Sequence, residues 1–493
     1  MENVPPPSRK RAHSSLSDED ASRHHRPVTM SADPAPEASR PKRPPPGVDA
    51  DTYFHNLYRT EIDFRQLALE DPSFAKLLKQ GHLDFNDPSS VVQLTRTLLK
   101  VDYGLEIELP PDRLCPPVPN RHNYILWLKG LMDSTSDEDP GKSRVRGIDV
   151  GTGSSCIYPL LGCTQRAWEF IATDIDETNL EYAKRNIALN NLEDRIRLVP
   201  RTSSDTLIPL DDLEDARTAD FVMTNPPFYE SADELDALAR KKSRPPLTAC
   251  TGAPVEMVTA GGEVGFARRL VAESRRLRGR VRWYSTMLGK FSSVETVVEM
   301  VRGEAGVENY AVTEFIQGAK TRRWAVAWSF GDRRPSGDVA RGMKEVSWGK
   351  VLPPRTEYEI ALPQRPGLSA AVVGRCIDEL MGGLALTEWR WDAEKLTGLG
   401  RSRENVWSRA WRRRQQRIEA GVEEAPPETE GGDAAACAIG FRISVVVGLD
   451  DYTVVFRWVQ GCDAALMASL LAFLRSRVEK FKGVEGLEMY IVK

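Results

Sequence analysis

Through residues 145–330 short apolar runs alternate with amphipathic stretches. Runs at 145–150, 169–174, 196–200, 219–224, 281–286, 310–316 and 323–330 predict strands. Helical spacing over Cys156–Leu161, 177–190 and 262–278 predicts helices between them. Strands separated by helices need crossover connections, so this stretch predicts a mostly parallel, Rossmann-like doubly wound α/β sheet. The last two runs, joined by Gly318-Ala319-Lys320-Thr321, predict an antiparallel edge hairpin. Ahead of this sheet, over 51–132, Phe64, Leu67 and Ala68, then Val91, Val92, Leu94, Leu98 and Leu99, recur at helical spacing, and Asp87-Pro88-Ser89 marks a helix start. A helical N-terminal subdomain is expected there, followed by an α/β domain over 144–332.

The pattern changes over 350–493. A strand at 356–362, a helix at 367–382, strands at 385–391, 440–447 and 452–458, a helix at 463–481 and a strand at 487–492 predict a C-terminal α+β domain close to a split β-α-β unit. An insert, 395–438, starts Arg-rich and ends in Glu, Pro and Gly, so its part at about 418–436 is expected to be a disordered loop. Residues 1–50 are Pro, Ser and charged residues that cannot bury enough surface to offset backbone entropy, and a disordered tail is expected.

Composition narrows the function classes. The chain has 493 residues, enough for roughly two to four domains. A net charge of −4 makes any nucleic-acid surface a local patch. No run of about 18 apolar residues and no signal-peptide core follow Met1, which argues against membrane and secreted classes. The seven cysteines are scattered without a Cys-x-x-Cys pair, as expected of reduced thiols. All six histidines lie at or before His122, so chemistry in the sheet region is expected to proceed without a histidine base or a metal.

Two motifs at strand ends carry chemistry. Ile148-Asp149-Val150 runs into Gly151-Thr152-Gly153-Ser154-Ser155-Cys156, a glycine turn that lets a ligand approach the backbone. Cys156 replaces the third glycine of a dinucleotide fingerprint, and Asp174 lies about 20 residues on, where an acidic residue accepts from ribose hydroxyls. An adenosyl ligand suits both features. A triphosphate does not, because the turn has no lysine, and Pro140-Gly141-Lys142-Ser143 follows the repelling charges of Ser136-Asp137-Glu138-Asp139. The second motif, Asn225-Pro226-Pro227-Phe228, stops an apolar strand where open α/β sheets bind ligands. The Asn225 side-chain oxygen and the Pro226 carbonyl can accept both N–H bonds of an adenine amine and leave its lone pair aimed at a sulfonium methyl. Phe228 offers a face for a flat base. Alone, the tetrad is as readily a strand-terminating turn.

Together these residues resemble class I S-adenosylmethionine-dependent methyltransferases of adenine and of glutamine amide nitrogen. A narrower resemblance rests on Pro119–Trp127, Gly147–Gly153, Ser155–Gly162, Gly261-Gly262-Glu263, Arg282–Ser285, Met287–Lys290, Thr313-Glu314-Phe315 and Arg323-Trp324-Ala325. Over about 53–330 the sequence is similar to the methyltransferase-like protein sixteen family, adenine-N6 methyltransferases of U6 small nuclear RNA. That resemblance implies an RNA methyltransferase acting on an unpaired or flipped adenine in a structured RNA, U6 small nuclear RNA in the first place, with S-adenosyl-L-methionine as cofactor. It implies donor contacts at Arg121, Asp149, Gly151, Gly153, Ser155, Asp174, Thr202 and Asn225, and a catalytic tetrad at Asn225, Pro226, Pro227 and Phe228. It implies RNA contacts at Arg201, Lys241, Lys242, Arg244, Arg282 and Lys290, with the loop from Arg201, a lysine in the family, gating the donor pocket.

Basic clusters remain ambiguous on sequence. Lys241, Lys242 and Arg244 suit phosphates flanking a target base, or a solvated loop. Arg401, Arg403, Arg409, Arg412, Arg413, Arg414 and Arg417 surround Trp407 and Trp411, as in an RNA surface or a basic helix anchored on its own domain. Arg9-Lys10-Arg11 and Arg40-Pro41-Lys42-Arg43 suggest nuclear import signals, and a protein of the nucleus, with the cytoplasm as a second compartment, is expected. Methylation of a protein glutamine and a non-catalytic RNA-binding role are the alternatives.

Overall fold

Five parallel strands build the first sheet: Val145–Val150 (β1), Trp168–Asp174 (β2), Ile196–Pro200 (β3), Ala219–Thr224 (β4) and Val281–Leu288 (β5). Tyr310–Gln317 (β6), Thr321–Trp328 (β7) and the short Arg341–Gly342 (β8) extend it, in the order β3-β2-β1-β4-β5-β7-β6-β8. β7 runs antiparallel to both β5 and β6. The computed structural model describes residues 44, 48–137, 144–231, 234, 252–317, 321–343, 349–422 and 437–481, all within one compact unit. The expected tail, apart from residues 44 and 48–50, the hairpin turn 318–320 and the closing strand at 487–492 lie outside them. So does the stretch 423–436 of the expected loop.

Parallel strands buried on both faces need near-continuous apolar runs. Ile148, Phe221, Val222, Trp283 and Tyr284 are accordingly buried at the centre of the sheet. The strand order reverses between β1 and β4, which leaves a crevice outside their carboxyl ends.

Helices cover the sheet and its N-terminal side: Ala50–Asn56 (α1), Phe64–Glu70 (α2), Pro88–Leu98 (α3), Val118–Ser134 (α4), Ile157–Gln165 (α5), Glu177–Leu189 (α6), Gly262–Leu277 (α7) and Phe291–Gly303 (α8). The expected start at Asp87 is a cap: its carboxylate accepts from the Ser89 and Ser90 amides, each at 3.1 Å. Hydroxyl bonds from the same two serines hold that carboxyl down to about 2. α1 is tied by charge to α4 and to the end of α5, since Asp51 meets Arg166 at 2.6 Å and Lys129 at 2.5 Å, and Arg166 also meets Asp133 at 2.6 Å. α8 was not among the expected helices. Its buried Val294, Val297, Val298 and Val301 stand at helical spacing, a signal masked by the low helix propensity of valine.

The second sheet comprises Glu357–Pro363 (β9), Glu388–Asp392 (β10), Thr397–Ser402 (β11), Ile439–Val447 (β12) and Asp451–Gln460 (β13), in the antiparallel order β10-β11-β12-β13-β9. β9 and β10 run the same way at opposite edges, joined by Ala370–Gly382 (α9), so the β-α-β unit is split by three strands. The insert is more ordered than its composition suggests, holding β11 and the helix Arg409–Glu419 (α10). Gly398 and Gly400 lie in β11, where glycine marks a close approach of a neighbour. A Cβ on Gly398 would collide with Trp389 and Trp391, and one on Gly400 with Phe441. Ala464–Lys480 (α11) completes this layer.

The two sheets join away from the crevice. Arg457 of β13 donates to the Ser134 carbonyl at 2.9 Å, and the Arg334 guanidinium lies 4.2 Å over the Trp458 ring. Gln460 donates to Asp332 at 2.9 Å.

Gly147 in β1 has the Phe221 and Phe170 rings where a Cβ would stand. Gly147→Ala is expected to cost ~1–3 kcal/mol through overpacking. A urea midpoint equal to that of the unaltered chain would show that the central strands have slack.

Candidate functional site

Three strand ends meet at the crevice. β1 delivers the glycine turn, whose Gly151 and Gly153 have φ of +76° and +65°, and Cys156 follows at +50° in the left-handed region. The turn is fixed on β2, because the Gly151 and Thr152 amides donate to the Thr173 carbonyl at 3.0 and 2.8 Å. β2 delivers Asp174. Its Oδ2 accepts from the Gly153 amide at 2.8 Å, and its Oδ1 accepts from the Asp176 amide at 3.0 Å and from Asn179 Nδ2 at 3.3 Å. β4 delivers the tetrad. Thr224 Oγ1 donates to the Val150 carbonyl at 2.8 Å, which locks the last turn-forming residues of β4 against β1.

The cavity between these ends measures about 240 Å³. Of the residues expected to hold the donor or the base, Arg121, Gly151, Gly153, Ser155, Asp174, Thr202, Asn225, Pro226, Pro227 and Phe228 line it. Arg121 is 5 % exposed and forms no ion pair with any described residue; its Nη1 reaches Met287 Sδ at 3.5 Å and its guanidinium lies 5.6 Å over Tyr158. A buried guanidinium without an anion is costly, so a carboxylate entering the cavity would find a ready partner. Asn225 Oδ1 is likewise buried and receives no hydrogen bond from the described residues.

The tetrad is held from beyond as well. The Tyr229 amide donates to the Met257 carbonyl at 3.0 Å, and the Thr259 amide to the Tyr229 carbonyl at 2.9 Å. Buried Glu263 accepts from the Gly289 and Lys290 amides at 2.6 and 3.1 Å. This brings Gly289 against the Phe228 ring, where a Cβ would stand 2.9 Å from Phe228 Cδ1. Arg323 covers the ring at 5.4 Å from its centroid, too close for a base to slide between. Stacking on that face therefore displaces the guanidinium.

Asp149 does not line the cavity. It is fully buried beneath the turn, neither carboxyl oxygen receives a hydrogen bond from the described residues, and the nearby Thr152 hydroxyl points to Cys156 Sγ at 3.4 Å. Burial pushes its carboxyl up to about 7.

The expected RNA contacts divide. Lys241, Lys242 and Arg244 lie outside the described residues. Lys290 is exposed next to Gly289, which packs on Phe228, and its Nζ lies 3.0 Å from Glu234. Arg201 lines the cavity but is spent on its own loop, reaching Asp212 at 2.6 Å and the Thr206 carbonyl at 3.0 Å, so it holds the 201–206 loop rather than presenting a free charge. Arg282 requires a correction. It sits at the amino end of β5, the end of the sheet away from the crevice, and bonds Asp220 at 3.1 Å and the Thr135 carbonyl at 3.3 Å. Trp407 is buried, donating to Ser469 at 3.1 Å, and Trp411 donates to Glu404 at 2.8 Å, so both indoles anchor the basic helix to its own layer. His122 is a core residue between the Tyr103 hydroxyl and the Phe54 carbonyl, pushed down to about 3 by burial.

Sequence reasoning missed Glu256, which lines the cavity from the turn Pro254–Met257. Its Oε2 accepts from the Leu114 and Ala253 amides at 2.8 and 3.0 Å, and burial raises its carboxyl. The only sequence signal was a glutamate three residues after an alanine and two after a proline, a weak helix-start pattern.

Residues 49–332 match a family described as RNA methyltransferases. The chain belongs to this family. It is 44% identical over 276 residues to the U6 small nuclear RNA (adenine-(43)-N(6))-methyltransferase of Schizosaccharomyces pombe, covering 56% of this chain and 69% of that protein. It is 42% identical over 278 residues to the human RNA N(6)-adenosine-methyltransferase METTL16, covering 55% of this chain and 49% of the human protein. The crystal structure of the human METTL16 catalytic domain in complex with MAT2A 3′UTR hairpin 1 superimposes with a TM-score of 0.52 at 41% identity, over 59% of this chain and 99% of that one. The family match thus spans β1 to β7 of the first sheet and its helical N-terminal side, and the class I methyltransferase fold follows from the strand order and this neighbour.

Asp149 gives this methyltransferase a pH signature. Folded, its carboxyl keeps a proton up to about pH 7; unfolded, it releases it near the ordinary 3.8, so between those values the folded state binds more protons. Stability of the ligand-free protein should fall as pH rises through that window, and Asp149→Asn should flatten that part of the curve. Urea titrations at about pH 5 and pH 8 measure it; parallel curves for the two proteins would place the buried charge elsewhere.

Proposed function

We propose that this chain transfers a methyl group from S-adenosyl-L-methionine to the exocyclic amine of an unpaired or flipped adenine in a structured RNA, with U6 small nuclear RNA as the favoured substrate. The carrying observation is Asn225 Oδ1, a buried acceptor unused by the described residues in the lining of a cavity that also presents the Arg121 guanidinium, which has no ion pair among them. Family membership and the substrates named for the fission yeast and human relatives support the choice of RNA adenine.

The donor, when bound, supplies an electrophilic methyl on a sulfonium. The residues present fit it: Arg121 matches its carboxylate, the left-handed glycines give its sugar room, and Asp174 accepts from ribose. Asn225 Oδ1 and the Pro226 carbonyl accept the two amine N–H bonds, and Pro226 and Pro227 fix φ so that the carbonyl direction does not drift. Phe228 stacks on the base, worth ~1–3 kcal/mol. No residue need act as a strong base: as the nitrogen–methyl bond forms, the methyl–sulfur bond breaks and the donor would leave as a neutral thioether, and the cationic amine left behind is acidic and yields its proton to water, so positioning carries the rate. A duplex adenine cannot reach Asn225, so the target must be unstacked. Arg323 over the Phe228 ring and Lys290, paired with Glu234, are described cations beside the tetrad that suit flanking phosphates.

Asn225→Ala is expected to lower methyl transfer to an adenine-containing hairpin RNA ~10²–10³-fold at saturating donor. Unimpaired transfer by this variant would refute the role given to Asn225. We also place the chain in the nucleus, on the strength of Arg9-Lys10-Arg11 and Arg40-Pro41-Lys42-Arg43. A fluorescent fusion should concentrate there and lose that distribution when these groups are neutralised; a diffuse wild-type fusion counts against it.

A further inference from the structure

Asp174 cannot serve a ribose alone. A carboxylate offers roughly four lone-pair positions. Three donors from the protein already bond this one: the Gly153 and Asp176 amides and Asn179 Nδ2. Asn179 is itself fixed by Arg113, whose Nε donates to Asn179 Oδ1 at 3.1 Å while its Nη2 meets Asp176 at 3.1 Å. The arrangement is too well braced for Asp174 to turn. At most one position remains, whereas a ribose presents two neighbouring hydroxyls.

Glu256 supplies what is lacking. Its Oε2 is committed to the Leu114 and Ala253 amides, which fixes the carboxylate plane. No described residue donates to Oε1, and a Cβ placed on Gly153 would stand 3.7 Å from it, so this oxygen faces the same turn that Asp174 grips. Arg121, the partner suited to the donor's carboxylate, lies instead with Met287 and Tyr158, which puts the amino-acid end of the ligand elsewhere in the cavity. We propose that Glu256 Oε1 accepts a hydrogen bond from one hydroxyl of the donor's ribose, making a two-carboxylate clamp with Asp174. This deepens the methyltransferase reading and rests on it.

Glu256→Gln provides a clean test. The two amides hold the remaining oxygen, so Nε2 takes the place of Oε1 and an acceptor becomes a donor. Calorimetry on the full chain would compare S-adenosylhomocysteine with 5′-methylthioadenosine, which keeps the ribose and lacks the amino-acid part. The expected result is about a tenfold loss of affinity for both ligands with an unchanged Tm, the loss anticipated for a hydrogen bond to a charged group. Wild-type affinity in the variant, or a loss confined to S-adenosylhomocysteine, overturns the clamp and leaves the methyltransferase reading standing. Wild-type protein that binds neither ligand overturns both. Should the variant not fold, the wild type still decides: removing the 2′- or the 3′-hydroxyl from methylthioadenosine must each weaken binding about tenfold, and indifference to either removal sinks the proposal.

Discussion

A buried amide oxygen with no donor costs about 1–3 kcal/mol, and much of this fold serves to keep Asn225 Oδ1 in that condition. The strand that carries it is clamped on both sides. Thr224 is bonded to β1, and Ser285 of β5 donates to the Val222 carbonyl at 2.9 Å and pairs with the Tyr124 hydroxyl at 2.8 Å. Beyond the tetrad, Tyr229 is laced to Met257 and Thr259. The strand end is thus held by bonds that leave Asn225 Oδ1 unused among the described residues, and the prolines contribute no N–H at all.

The same logic runs through the donor side of the cavity. Arg121 is enclosed by a thioether and a phenol ring rather than by a carboxylate, and burial pushes the Asp149 carboxyl up to about 7. A charge left uncompensated in this way is a binding energy in waiting. Both ends of the cavity therefore store polar potential that a ligand with a carboxylate and an amine would discharge. The stability lost to these groups is offset by the doubly covered sheet, whose central residues are buried on both faces.

Much of this could be read from the chain because the motifs sit at strand ends, where period and chemistry reinforce each other. Apolar runs located β1, β2 and β4, and a glycine turn, an aspartate and a proline pair located their carboxyl ends. What escaped depended on three-dimensional partners. Gly398 and Gly400 have no evident reason to be glycine until Trp389, Trp391 and Phe441 are seen filling the space above them. Glu256 is one of many glutamates until Leu114, 142 positions earlier, donates to it. Arg282 and Arg201 carried the charge expected of RNA contacts, but the sequence could not say that Asp220 and Asp212 already neutralise them.

Arg282 also explains how the second layer is attached. Its guanidinium reaches the Thr135 carbonyl at the end of α4, while Arg457 of the other sheet reaches the adjacent Ser134 carbonyl. The carboxyl end of a helix carries unsatisfied carbonyls and partial negative charge, so two cations converging there satisfy both needs at once. Asp137, just beyond, pairs with Arg401 at 3.1 Å and with Arg333, and continues the seam with the opposite sign. Because this seam lies at the amino ends of the parallel strands, the second layer leaves the crevice open. Arg401 and Arg457 are spent on holding the two sheets together, while Arg409, Arg412, Arg413 and Arg417 of α10 stay exposed.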